Sequence, residues 1–212
     1  DEYVNEKRLH GYWKDAGIRI DGSAVDGFSL IFLRQWEFLT KKQENYSNFL
    51  NLYDTYQNDA VVVPYADGLD YSVSICKNVY ENMIASASKY IYIMTPYFIV
   101  DDAIFDMLKS KAISGVDVSI VIPEIPDKPF VYGVTRNNAE KLIDYGVNIY
   151  TMKSSFVHSK MLITDHSAVV GSINMDLRSF YQQFECAVYT DDKKVREDIL
   201  QDFTKTFDDS VL

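Results

Sequence analysis

Short apolar runs alternate with helix-sized, 3.6-periodic segments through the last two-thirds of the chain. This alternation restricts the fold more than any other feature. "YIYIM" (Tyr90–Met94) and "VDVSIVIP" (Val116–Pro123) read as buried strands. Between them, "DDAIFDMLKSKAISG" opens on acids and ends on Gly115, the usual marks of helix start and stop. Before them, Tyr71 to Ser88 places Val73, Ile75, Val79, Met83 and Ile84 at helical spacing. After them come a helix from about Phe130 to Tyr145 that closes on Gly146, then the strand "VNIYTM". "FVHSKMLITD" and "AVVGS" follow as two strands around a turn at His166-Ser167, then the strand "FECAVYT" and the helix "KKVREDILQDFTKTF". Such alternation predicts an α/β fold, a mixed β-sheet with helices on both faces. With 47% hydrophobic residues, including 16 Tyr and 12 Phe, the chain can fill the core this requires.

The sequence also repeats itself weakly. At a constant shift of 170, Asp15 aligns with Glu185, Asp21 with Asp191, Gly22 with Asp192 and Val25 with Val195. Each copy is a strand bearing an acid, a polar turn and an aromatic-rich helix. The expectation is that residues 1–60 are the tail of a first lobe plus a linker, and that residues 61–212 form a second lobe. The chain has no Met at residue 1 and reads as starting inside a larger protein.

Charge bounds the partners. With 31 acids against 21 bases the formal net charge is -10, so nothing draws the whole molecule toward nucleic acid or an anionic bilayer. Phosphate must be held by a few local cations. Cys76 and Cys186 lack metal-ligand companions at usual spacing and read as buried thiols of a reduced compartment. The longest apolar run, Tyr90 to Val100, is too short to span a bilayer, and no signal peptide is visible.

The chemistry concentrates in "VHSKMLITDHSAVVGSIN", Val157 to Asn174. On a strand His158 and Lys160 share one face, while Val157, Ser159 and Met161 share the other. Lys160 offers a compact charge for a phosphoryl oxygen. Ser172 and Asn174 add hydroxyl and amide donors after the next strand. Glu185, one strand further, is placed to accept a hydrogen bond from one imidazole nitrogen of His158 and leave the other reactive. Any one pair of these residues would suit a solvated surface strand; the full set argues for a site.

The motif His158-x-Lys160-x4-Asp165 with Gly171-Ser172-x-Asn174 resembles the phospholipase D superfamily. "WKDAGIRIDGSAV", "VVVPYADGLD", "TPYFIVDDAIFDMLKSKAISGVDVSIVIPEIPDKPFVYGVTR" and "GSINMDLRSFYQQFE" resemble bacterial cardiolipin synthases within it. Two departures stand out. Five residues separate Asp165 from Gly171 where six are usual, and only the second of the family's two motifs is present. The resemblance implies transfer of a phosphatidyl group between two phosphatidylglycerol molecules through a phosphohistidine, giving cardiolipin and glycerol. It implies that His158 is catalytic, more in keeping with acid/base than with nucleophile. It also implies that Lys160, Ser172 and Asn174 bind phosphate, that Glu185 orients His158, and that Asp165 belongs to the catalytic motif while holding its hairpin. Asp15 would orient the histidine of the missing motif. Lys and amide groups compensate charge, so no metal or other cofactor is expected. The implied partners are phospholipid and the missing first lobe, at the cytoplasmic side of a bacterial membrane held through absent N-terminal segments. Nucleic acid is not expected; a homodimer of the fragment is left open, with the remnant of the first lobe occupying part of the surface it would use.

Arg136, one helical turn from Tyr132, and Arg178, just after the motif, are further candidates for a headgroup or phosphate. His10 and His166 look like loop residues. Two rival readings stand beside the synthase: a homodimeric phosphodiesterase or nuclease of the same superfamily, and a module that binds phosphate without turnover. The chain as it stands, with half of a two-motif site, is expected to be inactive alone.

Overall fold

The computed structural model describes residues 3–6, 9–54, 59–69 and 71–212. The linker residues 55–58 lie outside this set. Among the described residues the core is an eight-stranded mixed sheet. Its centre is parallel: β3 (Tyr90–Met94) beside β5 (Asp117–Pro123), and β5 beside β6 (Asn148–Met152). The two crossovers are α3 (Asp102–Ile113) and α4 (Pro129–Ile143). On the other side of β3 the strands run antiparallel in the order β8 (Met161–Thr164), β9 (Ala168–Gly171), β11 (Glu185–Thr190) and β2 (Val62–Asp67). A short β12 (Ser210–Val211) closes the far edge on β6.

Alternation along each strand divides the core in two. Ile91, Ile93, Val118, Ile120, Leu162 and Val169 pack against α2 (Ile75–Ser86), α3, α4 and α5 (Leu177–Tyr181). Met94, Val121, Met161, Ile163 and Val170 face α6 (Lys193–Asp208) through Ile199 and Phe203. Helices therefore cover both faces. Their starts are fixed by carboxylates: Asp101 caps α3, Asp176 caps α5 and Asp192 caps α6. At α2 the Ser74 side chain is the cap, and Asp67 at the end of β2 accepts from the Ile75 and Cys76 N–H groups at 2.8 Å.

Three elements depart from the sequence reading. The helix expected from Tyr71 starts at Ile75. "FVHSKMLITD" is not one strand but two, β7 (Ser155–Val157) and β8, with His158–Lys160 between them. The strand expected to bear Asp15, β1 (Tyr12–Lys14), stops one residue short of it and does not join the main sheet; it pairs in parallel with β7. Gly11 permits that pairing, because a Cβ there would lie 2.1 Å from the Ser154 carbonyl oxygen. After β1 the chain forms α1 (Val25–Thr40), which packs so closely on β2 that a Cβ on Gly27 would meet Pro64 Cγ at 2.9 Å.

Candidate active site

Register gathers His158, Lys160, Ser172, Asn174 and Glu185 at one edge of the sheet. Met94 pairs with Met161, so the residues before β8 lie beside the C-terminal end of β3. Ala187 pairs with Gly171 and Glu185 with Asp67, so the end of β9, the start of β11 and the end of β2 meet at the same edge. This is the carboxyl end of the parallel strands, where open α/β sheets commonly bind ligands.

The break between β7 and β8 is held by β1. The Lys14 carbonyl accepts from the His158 N–H at 2.7 Å and the Ser159 N–H at 3.0 Å, while the Lys14 ammonium is anchored 2.6 Å from Asp202 on α6. The next residue, Asp15, brings Oδ2 to 2.8 Å from His158 Nδ1. The Asp15 carboxyl is pushed up by burial, but hydrogen bonds from His158 and the Ala16 N–H outweigh this and hold it below its usual value. An ionised carboxylate can only accept, so Nδ1 carries the proton and Nε2 is left as the reactive nitrogen. Trp13 and Tyr3 flank the imidazole, with ring centroids at 4.9 Å and 5.5 Å.

Glu185 does not make the contact with His158 that its spacing suggests. It accepts from the Ser172 hydroxyl and, at 3.0 Å, from the Ser179 hydroxyl. Burial raises its carboxyl above the usual range, against the opposing effect of those two hydrogen bonds. The reason lies in topology: β11 lies beside β9, which aims Glu185 at Ser172, whereas β1 lies beside β7 and delivers Asp15 to the imidazole. Asp15, expected to orient the histidine of the missing motif, is the carboxylate in contact with this one.

Lys160 is 9% exposed, and its ammonium donates to the His158 carbonyl. Burial lowers its pKa to about 8, against the pull of the Asp15, Glu185, Asp127 and Asp176 carboxylates. Asn174 Oδ1 is buried without a hydrogen-bond partner in the structure. A half-turn of that amide exchanges Oδ1 for the NH2 donors that a phosphoryl oxygen needs. Asp165 lies away from this cluster, accepting from the Ser88 N–H at 3.0 Å and the Ser88 hydroxyl at 2.6 Å. Arg136 pairs with Glu140 on the exposed side of α4, and Arg178 is exposed on α5. Among the described residues no group of three or more His, Cys, Asp or Glu is placed to hold a metal ion.

The sequence reading missed Trp13, Tyr97 and Asp127. Tyr97 donates to Asp127 at 2.6 Å, and Lys128 reaches the Tyr97 hydroxyl at 3.2 Å. A signal existed: both residues follow the carboxyl ends of the parallel strands β3 and β5.

A family model described as "Cardiolipin synthase, PLD-like domain" matches residues 80–209, more than half of the chain. The chain belongs to this phospholipase D-like family. The match includes His158, Lys160, Asn174 and Glu185 but not Asp15. An uncharacterized protein of Streptococcus mutans is 40% identical over 214 residues, covering 99% of this chain and 46% of that protein. A cardiolipin synthase of Alkalihalophilus pseudofirmus is 38% identical over 191 residues, covering 89% of this chain and 38% of the relative. The chain thus spans less than half the length of these relatives. The phospholipase D family member Nuc of Salmonella typhimurium superposes with a TM-score of 0.61 at 21% identity, over 72% of this chain and 97% of that one. This likeness shows that the fold is the family's.

Proposed function

We propose that the chain carries one half of a phosphatidyl-transfer site, within a longer protein that joins two phosphatidylglycerol molecules into cardiolipin and glycerol. The observation that carries this reading is the Asp15–His158 pair, 2.8 Å apart, beside the buried Lys160. Residues 1–60 are read as the end of a first lobe and residues 61–212 as the second. An upstream histidine attacks the phosphorus of one lipid; a P–N bond forms and the P–O bond to the glycerol headgroup breaks. His158, protonated at Nε2, gives its proton to the departing glycerol oxygen. Neutral His158 then takes the proton of a headgroup hydroxyl of a second lipid. That oxygen attacks the phosphohistidine, and the P–N bond breaks.

Lys160 holds the phosphoryl oxygens through both steps, with Asn174 and Ser172 as further donors. Asp15 fixes the tautomer and steadies the imidazolium. By the symmetry of the repeat, Glu185 stands ready for the upstream histidine as Asp15 does for His158. The setting proposed is the cytoplasmic face of a bacterial membrane, reached through segments upstream; among the described residues no helix is long and apolar enough to cross a bilayer.

The test is transfer between phosphatidylglycerol molecules in detergent micelles. The chain alone should be inactive, and mixing with a polypeptide that carries an upstream His-x-Lys-x4-Asp motif should restore activity. His158→Ala or Asp15→Ala in this chain should then lower the rate at least ~100-fold. Robust transfer by the chain alone overturns the half-site, and normal rates with His158→Ala remove His158 from the chemistry.

A further inference from the structure

If the substrate is a phospholipid, as proposed above, its phosphodiester must reach His158 and Lys160 while its acyl chains stay in a bilayer. Exposed apolar side chains lie next to this polar site. Tyr3 stands edge-on to the His158 ring and is 61% exposed, and Val4 and Leu9 in the same N-terminal segment are exposed as well. Two residues beyond Leu9, a Cβ on Gly11 would lie 2.8 Å from Ile125 Cδ1, so this segment runs against the loop that follows β5. That loop carries Asp127, whose charge acts on Lys160, and leads into α4, whose first turn carries Phe130. Phe130 is 87% exposed, the most exposed large apolar side chain among the described residues.

We infer that Phe130, together with Tyr3, Val4 and Leu9, inserts into a phospholipid bilayer and presents the His158–Lys160 site to it. Exposed apolar side chains beside a buried cation suit a ligand with a charged phosphodiester and greasy chains. The net charge of -10 means that insertion, not long-range attraction, must supply the affinity. Binding should therefore persist at high salt and show no preference for anionic over zwitterionic lipid.

The experiment is flotation of the purified chain with vesicles of phosphatidylcholine, and of an equal mixture of phosphatidylcholine and phosphatidylglycerol. Phe130→Ala should lower the partition coefficient roughly tenfold, the scale of burying most of a Phe side chain. The control is Phe32→Ala. Phe32 is another exposed aromatic, stacked on Trp36 at 6.2 Å along α1, whose inner face packs on β2. Phe32→Ala should leave binding unchanged. A wild-type chain that ignores both vesicles overturns the inference, and so does equal binding by wild type and Phe130→Ala, or an equal loss with Phe32→Ala. The functional reading fails separately: Phe130-dependent vesicle binding with no transfer in any micelle assay keeps the docking surface and removes the proposed reaction. Transfer in micelles with Phe130-independent vesicle binding does the reverse.

Discussion

Lys160 is buried among carboxylates, and its position costs the fold something. Its pKa falls to about 8, chiefly because burial penalises the ammonium. Between pH 8 and the ordinary lysine value near 10.4 the unfolded chain binds more protons, so stability should rise with pH across that window. Below pH 8 the penalty is present in full. Lys160→Met should therefore stabilise the chain at pH 7 by about 3 kcal/mol, with the advantage shrinking as pH climbs above 8. Urea melts of both proteins at pH 7 and pH 9.5 check this; a Lys160→Met chain less stable than wild type at pH 7 refutes it. Retaining a residue at such cost is intelligible if its charge meets an anion.

At the scale of elements, Asp165 and Gly171 are the structural members of the His158–Asn174 motif. Asp165 follows β8 directly and ties the β8–β9 turn to Ser88, two residues before β3, through the Ser88 N–H and hydroxyl. Burial raises its carboxyl, but these hydrogen bonds prevail and hold it at about 2. A depressed carboxyl contributes stability that is complete above its unfolded pKa, near 3.9, and is lost as pH falls toward 2. Asp165→Ala should cost about 2 kcal/mol at pH 7, and the gap to wild type should narrow between pH 4 and 2. Denaturant titrations at several pH values measure it; a gap unchanged by acid would assign the loss to something other than the ionised carboxylate. Gly171 is required by packing, since a Cβ there would lie 2.4 Å from Ala187 Cβ, where β9 and β11 pair. The motif glycine lets two strands approach, and the approach sets Ser172 against Glu185.

For the whole molecule, charge discriminates where fold does not. The phospholipase D-like fold fits more than one phosphodiester, but the chain carries a net charge of -10. Single- or double-stranded DNA should bind more weakly than roughly 10⁻⁴ M at physiological salt, the weak end of non-specific affinity. Electrophoretic mobility shifts test this directly. Cleavage of plasmid DNA by the purified chain would move the functional reading to nucleic acid.

Strand–helix alternation and the spacing of His158, Lys160, Gly171 and Asn174 were legible along the chain. Those patterns depend on residues within a few positions of one another, and periodicity reports which face each side chain takes. The mixed sheet and its two helical layers follow from them. The carboxylate that contacts His158 was not legible. Glu185 and Asp15 are equivalent by the repeat, and chain distance favours Glu185. The choice falls to Asp15, 143 residues from His158, because β1 pairs with β7 and β11 with β9. Hydrogen-bonded register between distant segments leaves no periodic trace in sequence, so only the tertiary structure could decide which carboxylate meets the imidazole.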